Sequence, residues 1–306
     1  MHRYILFRVV GTIPVLLVLS LITFLLMHAI PGGPFDIEKP VPPQVMANLE
    51  KKFHLDEPLW RQYRDYVWGI VRHFDFGPSY ASRSRTVKDI IRDHLPVSAQ
   101  LGGLALLIAM TIGIPLGIVA ALKQNTYLDY GSMFFAVLGL SIPNLVLGPL
   151  LIRVFALKFH ILPVATWGTP QHMILPAFTL GISSSAFLAR LTRASMLQVL
   201  REDYIRTATA KGLSQRMVVL RHGLKNGLIP VITILGPTFA VLITGTFIVE
   251  PIFAVPGLGR YFITSISNRD YPVIMGTTLL FGSFIIAANL LVDITYAFID
   301  PRIRYR

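Results

Sequence analysis

The residue types that could break bonds or hold a metal are present but do not converge. Eight histidines are scattered along the chain, with no H-E-x-x-H or other paired spacing that would seat a metal ion. There is no cysteine, which removes thiolate catalysis, thiolate metal sites and disulfides. "SSS" at 183–185 lies in an apolar run, where hydroxyls serve helix-to-helix hydrogen bonding more often than nucleophilic attack. Asp293 is the one carboxylate well inside a long apolar segment, a place where acids can relay protons. It sits about two turns before Asp300 and Pro301, which suits a buried partner or a water contact near a helix end. No G-x-x-x-x-G-K-[ST] occurs, so the chain carries no phosphate-cradling loop of that kind.

The segment that stands out does so by shape. In "DYIRTATAKGLSQRMVVLRHGLKNGLIP", residues 203–230, Arg206, Lys211, Arg216 and Arg221 lie between two apolar runs. Glu202 and Asp203 stand at the start of a helical pattern, where the helix dipole favours acids. Tyr204, Ile205, Ala208 and Leu213 lean to one side, and Arg206 and Lys211 project elsewhere. Gly212 suits the left-handed residue that ends a helix. Ser214 suits the N-cap of a second helix running through Val218 and Arg221 toward "NGLIP". The pattern predicts two short helices joined by an elbow. A basic amphipathic helix can also simply lie among lipid headgroups. The small residues Thr207, Ala208, Thr209 and Ala210 favour a helix lying deep in a partner's groove.

The elements around this elbow are membrane spans. The 306 residues are 53% hydrophobic and 14% charged, with mean hydropathy +0.60, against about a quarter charged in a soluble domain. Six segments approach the roughly 20 residues that cross a bilayer: 9–30, 97–122, 131–152, 173–189, 227–249 and 273–292. Residues 1–30 read as a retained first span with its cytoplasmic tip, since no small-x-small cleavage site closes the run. Proline falls inside five spans (Pro14, Pro115, Pro143 with Pro149, Pro176, Pro230 with Pro237), which predicts kinks. "GIPLG" at 113–117 offers a small-residue face for close helix contact.

Charge sets the orientation. Arg3 and Arg8, Lys123, the basic residues of 190–225 and the tail "DPRIRYR" fall on one side of a six-span layout, which predicts cytoplasmic termini. Lys and Arg outnumber Asp and Glu by 28 to 16, an excess that fits cytoplasmic loops rather than nucleic-acid binding. Arg190 and Arg193 are expected to snorkel to the inner interface. The connection 31–96 holds ten Lys or Arg and sits outside, as long loops translocate regardless of charge. Trp60, Trp68 and Trp167 all fall outside and suit interfacial anchoring. "PPQVMANLEKKFHL", with Val45, Leu49 and Phe53 four apart, and "PLWRQYRDYVWGIVRHF" predict a helical cap over the outer ends of the spans. The cap is either a structural lid or a docking surface for an external partner.

The elbow resembles the cytoplasmic loop of ABC-transporter permeases of the type I importer class, in the peptide-import branch. Arg206, Thr207, Ala208, Ala210, Lys211, Gly212, His222, Leu224, Lys225, Asn226 and Pro230 match its pattern, and Thr209 and Arg206 stand where arginine and glutamate are common in the branch and the wider class. "FDFGPSY" at 74–80, "LPVSAQLG" at 95–102, "GIVAALKQNT" at 117–126, "VPGLGRYFITSISNRDYP" at 255–272 and "DPRIRY" at 300–305 extend the resemblance along the whole chain. "PPQVMANLEKKFHLDEP" is similar to the oligopeptide-uptake members.

The resemblance implies an all-α integral membrane protein of the bacterial inner membrane, with six transmembrane helices and a long periplasmic loop after the first. Its implied division is 1–30, tip and first span; 31–93, periplasmic helical loop; 94–299, permease core with a coupling loop at 194–226; and 300–306, cytoplasmic tail. The implied activity is oligopeptide import, or dipeptide or nickel import within the same family. The implied partners are a second homologous permease subunit in a heterodimer, two cytoplasmic ATPases, an external peptide-binding protein, the peptide and membrane lipid. ATP would stay on the ATPases, with no cofactor and no hydrolysis in this chain. Glu202, Asp203, Tyr204, Arg206, Thr207, Ala208, Lys211, Gly212 and Leu213 would form the ATPase-docking coupling helix. A secondary transporter working alone would instead show inverted repeats and midplane carboxylates, and an intramembrane enzyme a catalytic constellation.

Overall fold

A computed structural model describes residues 2–35, 43–82, 84–244 and 246–299, with the backbone alone at 2–7, 9, 43, 45, 47, 49 and 292–299. The side chains of Val45, Leu49 and Asp293, and the tail 300–306, lie outside the described residues. The helices in chain order are α1 (His2–Ala29), α2 (Pro43–Lys52), α3 (Leu59–His73), α4 (Val87–Leu122), α5 (Tyr127–Ser141) and α6 (Asn144–Leu151), which continues in π-helical turns over Ile152–Lys158. Then follow α7 (Pro170–Val199), α8 (Asp203–Ala210), α9 (Gln215–Met217), a π-helical stretch Val218–Gly223, α10 (Leu224–Gly227), α11 (Ile229–Thr244), α12 (Thr246–Ile252), α13 (Leu258–Ser267) and α14 (Tyr271–Ile299).

Four stretches are long and apolar enough to span: Val10–Ala29, Val87–Leu122, Pro170–Val199 and Tyr271–Leu291. Two bent pairs, Tyr127–Ser141 with Asn144–Lys158 and Gln215–Gly227 with Ile229–Thr244, bring the number to six when each counts as one. Large apolar side chains face outward along them, such as Val10, Ile13, Leu26, Phe134, Phe135 and Val241. Such an apolar surface suits hydrocarbon, where each helix already satisfies its own backbone groups.

The third span departs from the expected continuous run over 131–152. It bends by 102° between Ser141 and Asn144. Pro143 has no N–H to donate, and its ring drives Ile142 out of the helical region to φ −91°, ψ 115°. Each half is 15 residues, about 22 Å, and falls short of the roughly 30 Å hydrocarbon core. The fifth span bends by a milder 47° at Leu228, just before Pro230.

The chain forms two compact units. The first, residues 1–98 with 256–287, holds α1, α2, α3, the start of α4, α13 and most of α14. α1 meets α14 through the Tyr271 hydroxyl on the Met27 carbonyl, and Gly282 lies against Leu19 with no room for a Cβ. Gly32 adopts φ +98°, a left-handed conformation that favours glycine, and the Arg269 guanidinium packs beside it and donates to Gly33 O at 3.3 Å. The "FDFGPSY" loop wraps onto buried Asp270, whose carboxylate accepts from the Ser79 hydroxyl, Tyr80 N at 3.0 Å and Ala81 N at 3.1 Å.

α3 corrects the expectation of a cap over the span ends. Its Tyr63 hydroxyl bonds Ser20 Oγ at 2.8 Å and the Leu17 carbonyl at 3.1 Å. Those residues lie about 13–18 Å down α1 from Ala29. The helix therefore packs along the flank of α1, because its tyrosines supply a hydroxyl that an apolar helix lacks elsewhere. Its exposed side carries Trp60 and Trp68, with Arg61, Arg64 and Arg72 stacked on their rings.

The second unit, residues 99–255 with 288–306, is organised on α7. α4 crosses α7 on glycines: a Cβ at Gly113 would meet the Ser185 carbonyl, one at Gly117 the Ala189 carbonyl, and one at Gly181 the Ala105 carbonyl at 2.6 Å. The small face of "GIPLG" is thus a contact surface, since only glycine lets backbones approach so closely. α11 packs through Val231 on Ala109 and Leu188, and α5 through Ala136 on Ala186 and Ala189. α12 lies on α6, with Gly148 against Ile252 and Phe253.

Candidate functional site

The elbow forms in the second unit as the spacing predicts. α8 begins at Asp203 with Glu202 extended in the cap position, φ −67° and ψ 149°. It ends at Ala210 with Lys211 in the C-cap position, and Gly212 reverses the chain at φ +81°. No atom lies within 4 Å of a Cβ built on Gly212, so glycine is required there by backbone conformation and not by space. Ser214 Oγ accepts from Met217 N at 3.4 Å and caps the second helix. That helix runs through its π-helical stretch and α10 to the start of the fifth span.

The inner face of the elbow is a small core of Ile205, Ala208 and Val218, with half-buried Leu213 packed on it. Tyr204 does not join that core. It stays 40% exposed, and its hydroxyl accepts from Asn226 Nδ2 at 2.8 Å, tying α8 to α10. Glu202, Asp203, Arg206, Thr207, Lys211 and Gly212 are exposed. Thr207 Oγ1 returns a bond to the Asp203 carbonyl, which lets a polar residue sit flat on a helix surface. The Asp203–Arg206 pair, 3.6 Å apart and fully in water, contributes little to stability. Beside these residues an open hollow of about 600 Å³ runs between the last turns of α7 and α8, lined by Ala194, Gln198, Arg201, Glu202, Asp203 and Arg206.

The elbow is fastened to the spans. Buried Ser195 Oγ donates to the Gly227 carbonyl at 2.7 Å, and Gly227 lies so close to Met196 that a Cβ would collide with its sulfur. Met196, Ala121 and Val219 form a second core under the joint. Such packing ties α8 and the following helix to α7 and to the start of the fifth span.

Two features escape sequence reasoning. Arg193 does not snorkel: Nε and Nη2 grip both oxygens of Asp129, a carboxylate 2% exposed, while Arg190 alone stays outward-facing. The two lie 64 positions apart, and the acid in the first turn of α5 already has a local explanation in the helix dipole. Glu250 is fully buried in α12, one residue past the predicted end of the fifth span, and no local pattern marks it.

Comparison with known proteins agrees with this architecture. Residues 113–305 match the family described as binding-protein-dependent transport system inner membrane component, and residues 1–102 match its N-terminal region. The chain is 48% identical over 304 residues to the dipeptide transport system permease protein DppB of Bacillus subtilis, covering 99% of this chain and 98% of that one. It is 45% identical over 307 residues to the oligopeptide transport system permease protein OppB of Salmonella typhimurium, covering both in full. Among solved structures, an inward-facing MetNI methionine ABC transporter matches with TM-score 0.55 at 15% identity, over 69% of this chain and 94% of that one. The chain belongs to the family of inner-membrane components of binding-protein-dependent transport systems, and it has the ABC importer permease fold.

Proposed function

We propose that this chain pairs with a second homologous permease subunit, that two cytoplasmic ATPases dock on its elbow, and that an external binding protein delivers oligopeptide to it. The carrying observation is the exposed, small-residue surface of α8, held rigidly to two spans through Gly212 and the Ser195–Gly227 bond. Glu202, Asp203, Tyr204, Arg206, Thr207, Ala208, Lys211, Gly212 and Leu213 make up the docking element: the polar and small residues face the ATPase, and Ala208 and Leu213 hold the joint. ATP binds and is hydrolysed on the ATPases. Their closure moves the elbow as a body, and the attached spans reorient around the path. Both termini and the segment 194–226 face the cytoplasm, residues 31–93 face outward, 94–299 form the permease core and 300–306 a cytoplasmic tail.

The relative at 48% identity carries dipeptides by name, which favours dipeptide as the second reading of the substrate. Reconstitution of the full transporter in proteoliposomes, with peptides of two to six residues presented on the binding protein, separates the two. Uptake of the longer peptides supports the oligopeptide reading, uptake confined to two residues supports the other, and no ATP-dependent peptide uptake overturns both.

A further inference from the structure

An open groove of about 310 Å³ runs between α1, α3 and α14 within the first unit. Ile13 and Leu17 of α1, Val71 and Phe74 of α3, and Leu279 and Leu280 of α14 line it. The first four are exposed, so the groove opens at the surface of the spans and is not a sealed void. The two serines in its lining are already spent. Ser20 Oγ donates to the Leu17 carbonyl at 2.8 Å, and Ser283 Oγ donates to the Leu279 carbonyl at 2.7 Å. These side chains leave no unmet hydrogen bond, and the occupant they favour is a hydrocarbon chain.

Charge at the mouth of the groove says what that chain carries. α3 flanks α1 inside the apolar stretch Val10–Ala29, where its Tyr63 meets Leu17 and Ser20. Its exposed side holds three arginines against one aspartate, stacked on indoles. Arg61 and Arg64 lie 5.2 and 5.4 Å from the Trp60 ring, and Arg72 lies 5.8 Å from that of Trp68. Asp65 pairs with Arg64 at 2.7 Å, and Asp75, beyond the helix end, accepts from Gly77 N at 2.9 Å. Among the described residues neither Arg61 nor Arg72 forms an ion pair. A guanidinium beside hydrocarbon is costly until an anion meets it. Helical spacing sets Arg72 one turn beyond Trp68 and next to Val71, at the edge of the groove. We propose that the groove and Arg72 together hold one anionic phospholipid. One acyl chain lies along Ile13, Leu17, Val71 and Phe74, the phosphate sits on the Arg72 guanidinium, and Trp68 packs at the level between them. The net positive stripe favours a headgroup of net negative charge, such as phosphatidylglycerol, over a zwitterionic one. The lipid seals the seam between α3 and the two spans it packs on. The site needs only that the chain spans a bilayer, and is independent of which solute is carried.

The test uses the assembled transporter in liposomes that contain a trace of phosphatidylglycerol or phosphatidylethanolamine with a diazirine on one acyl chain. After irradiation, adducts on this chain are mapped by mass spectrometry and normalised to those at the exposed residues 134–135. Enrichment at 13–17 and 67–74 is expected, about fivefold greater from phosphatidylglycerol, the worth of one arginine beside an anionic lipid. Arg72→Gln is expected to bring the two lipids level, and Arg72→Lys, which keeps the charge, to retain most of the preference. Both change an exposed side chain and are expected to insert as wild type. Equal labelling by the two lipids in wild type, a preference unchanged in Arg72→Gln, or no enrichment at 13–17 and 67–74 overturns the site. Protection of 67–74 from both lipids also overturns it, and is the result if a protein covers α3 instead. ATP-dependent peptide uptake in the same liposomes reads the transport proposal separately.

Discussion

Arg193 holds Asp129 through two parallel hydrogen bonds, Nε to Oδ1 at 2.6 Å and Nη2 to Oδ2 at 2.7 Å. The carboxylate also accepts from Asn125 N at 3.0 Å, so one buried acid joins the C-terminal half of α7 to the α4–α5 turn. This bidentate geometry is specific to arginine and fixes the helix from which the elbow departs. Arg193→Ala would leave a buried carboxylate with only the Asn125 N–H to hold it and is expected to cost about 3 kcal/mol. The double variant Asp129→Asn with Arg193→Gln should recover much of that loss. Melting curves of purified protein in detergent check both, and a single variant as stable as wild type contradicts the latch.

Gly212 is a conformational requirement with open space around it, which makes two substitutions diverge. Asparagine tolerates the left-handed region, whereas valine is strained there by about 1–2 kcal/mol or more. Gly212→Asn should keep most ATP-driven peptide uptake. Gly212→Val should insert normally yet lose roughly tenfold in uptake, because the elbow re-angles. Wild-type uptake by the valine variant would argue against a rigid joint.

The α4–α7 crossing predicts a sharp contrast between glycines. Gly117 faces the Ala189 carbonyl and Thr192 Cβ, the latter at 2.6 Å, while Gly131 has nothing within 4 Å. Gly117→Leu is expected to abolish accumulation in the membrane, since two backbones must separate. Gly131→Ala should accumulate as wild type. Immunoblots of membrane fractions compare them.

Asp270 accepts from three donors of one loop, a hydroxyl and two backbone amides. Asp270→Ala leaves the buried Ser79 hydroxyl and two partly buried amides without their acceptor and is expected to cost about 1–3 kcal/mol. Asp270→Asn keeps an acceptor oxygen and should lose less. Limited proteolysis within 74–86 reads the difference: faster cutting in the alanine variant is predicted, and equal cutting rates would remove Asp270 from that role.

The spans were legible because hydropathy acts locally and needs no knowledge of neighbours. Gly212 and Ser214 were legible for the same reason, as each answers a backbone need within four residues. Pro143 announces a kink but not its size, since a missing N–H marks a break and does not set its angle. The Arg193–Asp129 pair and the seating of Tyr63 on Ser20 were not legible. They join residues 64 and 43 positions apart, and nothing in either local sequence names its partner.

The most direct test of the docking elbow is cross-linking from position 207. The chain has no cysteine, so Thr207→Cys introduces a single thiol on the exposed face of α8. A photoactivatable maleimide on that thiol, in the assembled transporter, is predicted to yield an adduct with the ATPase subunit and to resist impermeant thiol reagents added outside intact cells. An ATPase that co-purifies but never cross-links from position 207, or labelling of this thiol from outside, would contradict the account.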